Sequence, residues 1–209
     1  MSVIARKSAV SEPRPSWTDI AIQSASERQG GGLSASALQL AEEARAVWAK
    51  VLFPTTRLEE WKYTNPEAIA GSAFALAPAS PALLSEEDIS RFEIPGLKAH
   101  RIVFVDGGFS AALSSLPAQK GVACERIQSK QSLPLGSLGA HKTEAFAALA
   151  TALMGDGVAI TVAPNIDAEV PFHIINVTTK AGAQSVITPR VFVDAGQSAR
   201  VTVIESHVS

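Results

Sequence analysis

Apolar side chains between Ser36 and Phe53 return every three or four positions, through Leu40, Ala41, Ala44, Val47, Trp48 and Val51. That spacing lines one face of an α-helix and predicts an amphipathic helix over 36–53. Ser36 with Gln39 reads as a capping box at its start, and Pro54 closes it. Thr56 with Glu59 reads as a second capping box, opening a short helix that carries Trp61, Lys62 and Tyr63. Asn65 as cap with Pro66 at the first helical position predicts another turn of helix. Ser85 ahead of Glu86, Glu87 and Asp88 predicts one more start, where acidic side chains meet the positive end of the helix dipole. The Gly30-Gly31-Gly32 run follows no apolar strand and precedes no Gly-Lys-Ser or Gly-Lys-Thr. It reads as an interhelical loop rather than a phosphate cradle, and 75–81 is a second loop, rich in Ala and Pro.

The texture changes at His100. Arg101 to Val105 is a short β-type run followed by the turn Asp106-Gly107-Gly108, and Phe109 to Leu116 leads into an irregular stretch. Thr143 to Met154 predicts a helix with Ala145, Phe146, Leu149, Ala152 and Leu153 as its buried face and Gly155 as its stop. Beyond it come short runs rich in β-branched residues: Val158–Val162, Phe172–Thr178, Arg190–Val193 and Ala199–Ser206. No helical segment joins them. An antiparallel sandwich or barrel and a β-helix of stacked coils both fit, and periodicity does not separate the two.

The composition narrows the class. With 46% hydrophobic and 18% charged residues, a mean hydropathy of +0.17 and 209 residues, the chain has the material for a sizeable core. A net charge of −2 excludes an electrostatic drive toward nucleic acid or an anionic membrane. No segment approaches the ~20 apolar residues of a membrane span, and residues 1–15 lack the apolar stretch of a signal peptide and read as a disordered tail. The single cysteine, Cys124, excludes an intrachain disulfide and a self-contained iron–sulfur site, and points to a reducing, cytoplasmic setting.

No catalytic, cofactor-binding or metal-binding residue is assigned. The histidines His100, His141, His173 and His207 form no His-x-His or His-x-x-x-His pair. Strand geometry puts Glu205 and His207 on one side, but that is two donors where a metal site needs three or four, so a hydrogen-bonding pair is the expectation. His141 and Glu144 read as a solvated pair. Ser137 lacks the elbow of a hydrolase nucleophile. Cys124, beside the negative Glu125, reads as an ordinary small, buried or half-buried residue.

The stretch Phe53-Pro54-Thr55-Thr56-Arg57-Leu58-Glu59-Glu60-Trp61-Lys62-Tyr63-Thr64 resembles the Pro-Thr-Arg…Glu-x-Trp-Lys-Tyr-Thr signature of the SufD family. Arg101 to Leu116, Ala145 to Val162, Pro171 to Thr179, the Pro189-Arg190 strand and Val203-Ile204-Glu205-Ser206-His207 resemble its following segments in order. The resemblance implies an α+β chain with three parts: a disordered tail over 1–15, an amino-terminal helical and mixed domain over 16–140, and over 141–209 the first coils of a right-handed parallel β-helix. It implies a non-catalytic scaffold that works with SufB and the ATPase SufC in iron–sulfur cluster assembly and holds no cofactor of its own. It also implies a shortened chain, because family members continue through further coils that carry the SufC-binding surface and most of the SufB-pairing surface. Weak stability, or association through the open end near Val203, is the expected consequence. On this reading Arg57, Glu60, Trp61, Lys62 and Tyr63 are structural, the aromatics packing the amino-terminal domain and the charges fixing its turn. Two other classes compete: a small metal-dependent enzyme on a cupin-like barrel using Glu205 and His207, and a stand-alone β-rich binding module.

Overall fold

The computed structural model describes residues 16–29, 32–78, 83–129 and 133–209. The expected tail at 1–15, Gly30 and Gly31 of the glycine run, and 79–81 of the Ala/Pro loop lie outside them. In chain order the elements are α1 (Trp17–Gln29), α2 (Ala35–Val51), α3 (Glu67–Ala70), β1 (Ala75–Leu76), α4 (Glu86–Ser90), β2 (His100–Val105), β3 (Gly108–Phe109) and β4 (Val122–Arg126). Then follow α5 (Ala145–Ala152), β5 (Gly157–Val162), β6 (Phe172–Val177), β7 (Ser185–Val186), β8 (Arg190–Ala195) and β9 (Val203–Val208).

The periodic helix forms as α2, but its cap is Ser34, whose side chain accepts from the Ala37 N–H, rather than Ser36. The Thr56–Glu59 box does not form. Glu59–Trp61 is a single 3-10 turn that starts at Leu58 without a side-chain cap, too short for a box to close over. Ser85 and Asp88 do make the reciprocal capping box at α4, and Asn65 accepts from the Glu67 N–H at α3. α1 has no strong sequence signal because, apart from Trp17, the side chains it buries, Thr18, Ala21, Ala25 and Gln29, are small or polar.

The strands form three sheets with no closed barrel among the described residues: β3-β2-β6-β9, β4-β5-β8 and the two-stranded β1-β7. After α5 the chain visits them in turn, β5 in one, β6 in the next and β7 in the third, and then repeats with β8 and β9. Each return is parallel and in register, Gly157 beside Arg190 through Val162 beside Ala195, and Phe172 beside Val203 through Val177 beside Val208. Antiparallel pairing is confined to β2–β3 and β4–β5. An antiparallel sandwich is therefore not the arrangement.

Between the two larger sheets lies the main core, with Ile102, Phe104, Cys124, Val158, Ile160, Phe172 and Ile174 facing inward. If each buries its side chain fully, aliphatic and aromatic members contribute about 1.5–3 kcal/mol apiece. A second core joins the amino-terminal helices to α5 through Trp17, Trp48, Leu149 and Leu153. Trp48 meets Phe53 edge-on at 4.9 Å, and Phe53 in turn meets Phe146. Gln29 fastens α1 to the end of α5 by donating from Nε2 to the carbonyls of Ala152 and Met154.

Candidate functional site

Two surfaces stand out once the chain is folded. The first is the rim formed by β8 and β9, each the last strand of its sheet. Parallel register places Val191, Val193 and Ala195 on the same face as Val158, Ile160 and Val162. It likewise places Val203, Glu205 and His207 on the face of Phe172, Ile174 and Asn176. These inward positions are covered in β5 and β6 but open at the rim, where Val193 and Val203 are 41% and 37% exposed. The outer edges of β8 and β9 pair with no other described strand, so their free backbone groups are suited to accept a further strand.

Part of the inner face of β6 and β9 is polar. Asn176, buried on the central strand, donates from Nδ2 to Glu205 Oε1 at 2.8 Å. The same oxygen lies 3.4 Å from His207 Nε2. Glu205 and His207 do share a side, as strand alternation requires. Asn176 is the member that sequence reasoning missed, since only the β6–β9 register reveals its place.

The second surface is the turn after α2. Trp61 stacks against Phe146 with ring centroids 5.3 Å apart, so the tryptophan of the signature packs as expected. The rest does not. Tyr63 is 91% exposed, Leu58 is half exposed, and Arg57, Glu59, Glu60 and Lys62 all face solvent. The only ion pair within the turn is Lys62 to Glu59 at 3.7 Å between exposed side chains, a contact too solvated to fix a backbone.

His141 is buried in a 3-10 turn with its Nε2 unpartnered, so the solvated-pair reading of His141 and Glu144 is wrong: the turn folds back under α2 and α5 and takes the ring with it. His173 is buried, and burial pushes its imidazole below the ordinary value, opposed by the charge of Glu93. Cys124 is buried as expected, and Ser137 lies exposed in a turn. Among the described residues no group of three His, Cys, Asp or Glu side chains stands within reach of one metal ion. None of the described helices is long and apolar enough to cross a membrane.

The fold thus defines a mixed helix-and-strand protein in which β8 and β9 return in parallel register onto β5 and β6. Residues 33–174 match the family model of the SufBD protein N-terminal region, and the chain belongs to the SufBD family. An iron–sulfur cluster assembly SufBD family protein of Synechocystis is 27% identical over 163 residues, which cover 74% of this chain and 35% of that protein. The iron–sulfur cluster assembly protein SufD of Escherichia coli is 28% identical over 158 residues, 75% of this chain and 36% of that protein. The chain spans about a third of the length of these relatives.

Proposed function

We propose that this chain is part of a non-catalytic scaffold subunit of a cytoplasmic iron–sulfur cluster assembly complex, acting with SufB and SufC. The observation that carries the reading is the family match over 33–174, together with the parallel returns of β8 onto β5 and of β9 onto β6. On this reading the strands from β5 onward open a right-handed parallel β-helix. Residues 16–140 form the amino-terminal unit, and 141–209 begin the helix that further coils extend from β8 and β9. Stacked coils suit a scaffold because each buries its apolar side on its neighbour and leaves its outer face to partner subunits.

The cupin-like alternative needs a closed barrel, and the described strands close none. Co-expression with SufB and SufC, followed by affinity capture, tests the scaffold reading. The chain is captured both as it stands and continued with the remaining coils of the Escherichia coli relative. The continued chain is expected to retain both proteins through washing, and the present chain to retain less. Failure of the continued chain to hold either protein overturns the proposal.

A further inference from the structure

We infer that the cleft between the helical layer and the strands is a binding site for an organic carboxylate with an apolar body. The inference does not depend on the scaffold reading. The cleft has a volume of about 480 Å3, within the roughly 300–1,000 Å3 of small-molecule sites. It lies among the carboxy-terminal ends of α1 and α5, strand β7 and the turn after β2. Leu76, Leu153, Val186 and Ile187 give it apolar walls, and the guanidinium groups of Arg28 and Arg126 line it as well.

The balance of hydrogen-bonding groups sets the sign of the ligand. Two carboxylates share the lining, but neither has capacity left to offer. Asp156 accepts from the Phe109 and Gly157 N–H groups, from Gln128 Nε2 and from Arg126 Nε and Nη2, which exhausts its roughly four lone-pair positions. Asp106 is 2% exposed and accepts from the N–H and the hydroxyl of Thr179. Gln128 also donates to the Gly155 carbonyl, and its Oε1 is buried out of reach of a ligand.

Donors, by contrast, remain. Arg28 gives Nη1 to the Ala77 carbonyl, and Arg126 gives Nε and Nη2 to Asp156. Arg28 Nε and Nη2 and Arg126 Nη1 have no partner among the described residues. The cleft therefore lacks an acceptor, which a carboxylate supplies through charge-assisted hydrogen bonds. A singly charged head suits the site better than phosphate, because Asp156 and Asp106 stand in the same lining and repel a second negative charge. Each guanidinium is already held by its protein acceptor, and that of Arg126 also lies over the Phe109 ring at 6.0 Å, so less freedom is lost on binding.

Calorimetric titration of the protein with decanoate tests the site, with decanol as the same apolar body without the charge. Decanoate should bind once per chain and roughly tenfold or more tighter than decanol, the difference that hydrogen bonds to charged groups make. The double variant Arg28→Gln with Arg126→Gln changes two side chains open to solvent and is expected to fold. It should bring decanoate down to the affinity of decanol and leave decanol itself unchanged. Intermolecular NOEs from the decanoate chain to the methyl groups of Leu153, Val186 and Ile187 locate the ligand in the unmutated protein, without reliance on a variant. Decanoate binding no tighter than decanol, decanoate affinity unchanged in the folded double variant, or NOEs confined to other methyl groups overturns the inference.

Discussion

Arg126 donates from its guanidinium to Asp156 Oδ2 at 2.7 Å, tying the end of β4 to the residue just before β5. The same carboxylate accepts from the backbone N–H groups of Phe109 and Gly157 and from Gln128 Nε2. One side chain thus joins β3, β4, the turn after β4 and β5. Asp156→Ala removes the acceptor from all of them and should destabilise the protein by about 2–4 kcal/mol. Arg126→Ala, whose side chain is half exposed, should cost about 1 kcal/mol or less. Urea unfolding of both variants checks the order, and equal losses would mean that the backbone donors contribute little.

His173 makes stability depend on pH. Its Nε2 is 2.9 Å from Ser206 Oγ, and burial holds its folded-state value below the ordinary imidazole one. A group whose value is depressed by folding contributes stability that is present above its unfolded value, about 6.5, and is lost as pH falls below it. The urea midpoint should therefore drop as pH is lowered from about 7 toward 5. His100, also lowered by burial, adds in the same direction. His173→Gln should flatten the slope; an unchanged slope would show that His173 does not carry it.

Leu52 closes α2 in a conformation that glycine alone adopts freely, with φ of 51° and ψ of −163°. Such strain costs about 1–3 kcal/mol, and the side chain is 54% exposed, so little burial is lost with it. Leu52→Gly removes the strain at an entropic cost of roughly 0.5–1 kcal/mol. A net gain of about 1 kcal/mol in chemical unfolding is expected, and a loss would show that the leucine side chain matters at that turn.

Within the signature, stability and surface separate. Trp61→Ala deletes the stack on Phe146 and should cost about 1–3 kcal/mol. Tyr63→Ala, at 91% exposure, should fall within about 0.5 kcal/mol of wild type. Comparable losses would return Tyr63 to a structural role.

The legible parts of this fold are those where local pattern and tertiary demand agree. α2 announces itself because its buried face carries Leu40, Ala41, Ala44 and Trp48 at helical spacing. β6 reads as a strand because all six of its residues are buried and four are apolar. α1 does not, because a tight approach to its neighbours selects small residues such as Ala21 and Ala25 that leave little periodic contrast. β4 hides for another reason: Glu125 and Arg126 interrupt its apolar pattern, and its place is set by antiparallel pairing with β5, far along the chain. The polar part of the β6–β9 face was half visible, since Glu205-x-His207 follows from alternation, whereas Asn176 joins only through the register of β6 on β9. The family resemblance reached the right family without revealing that most of its signature faces solvent.

Parallel return of β8 onto β5 is the feature on which the coil reading rests, and paired cysteines test it most directly. Neighbouring strands lie about 4.8 Å apart, within the roughly 4.4–6.8 Å span that a disulfide bridges. In a Cys124→Ala background, Thr161→Cys with Asp194→Cys and Ala159→Cys with Phe192→Cys should both close under mild oxidation, as the register requires. Closure of the first pair together with an Ala159–Gly196 cysteine pair, and not with Ala159–Phe192, would mean that the strands run antiparallel and would contradict the account.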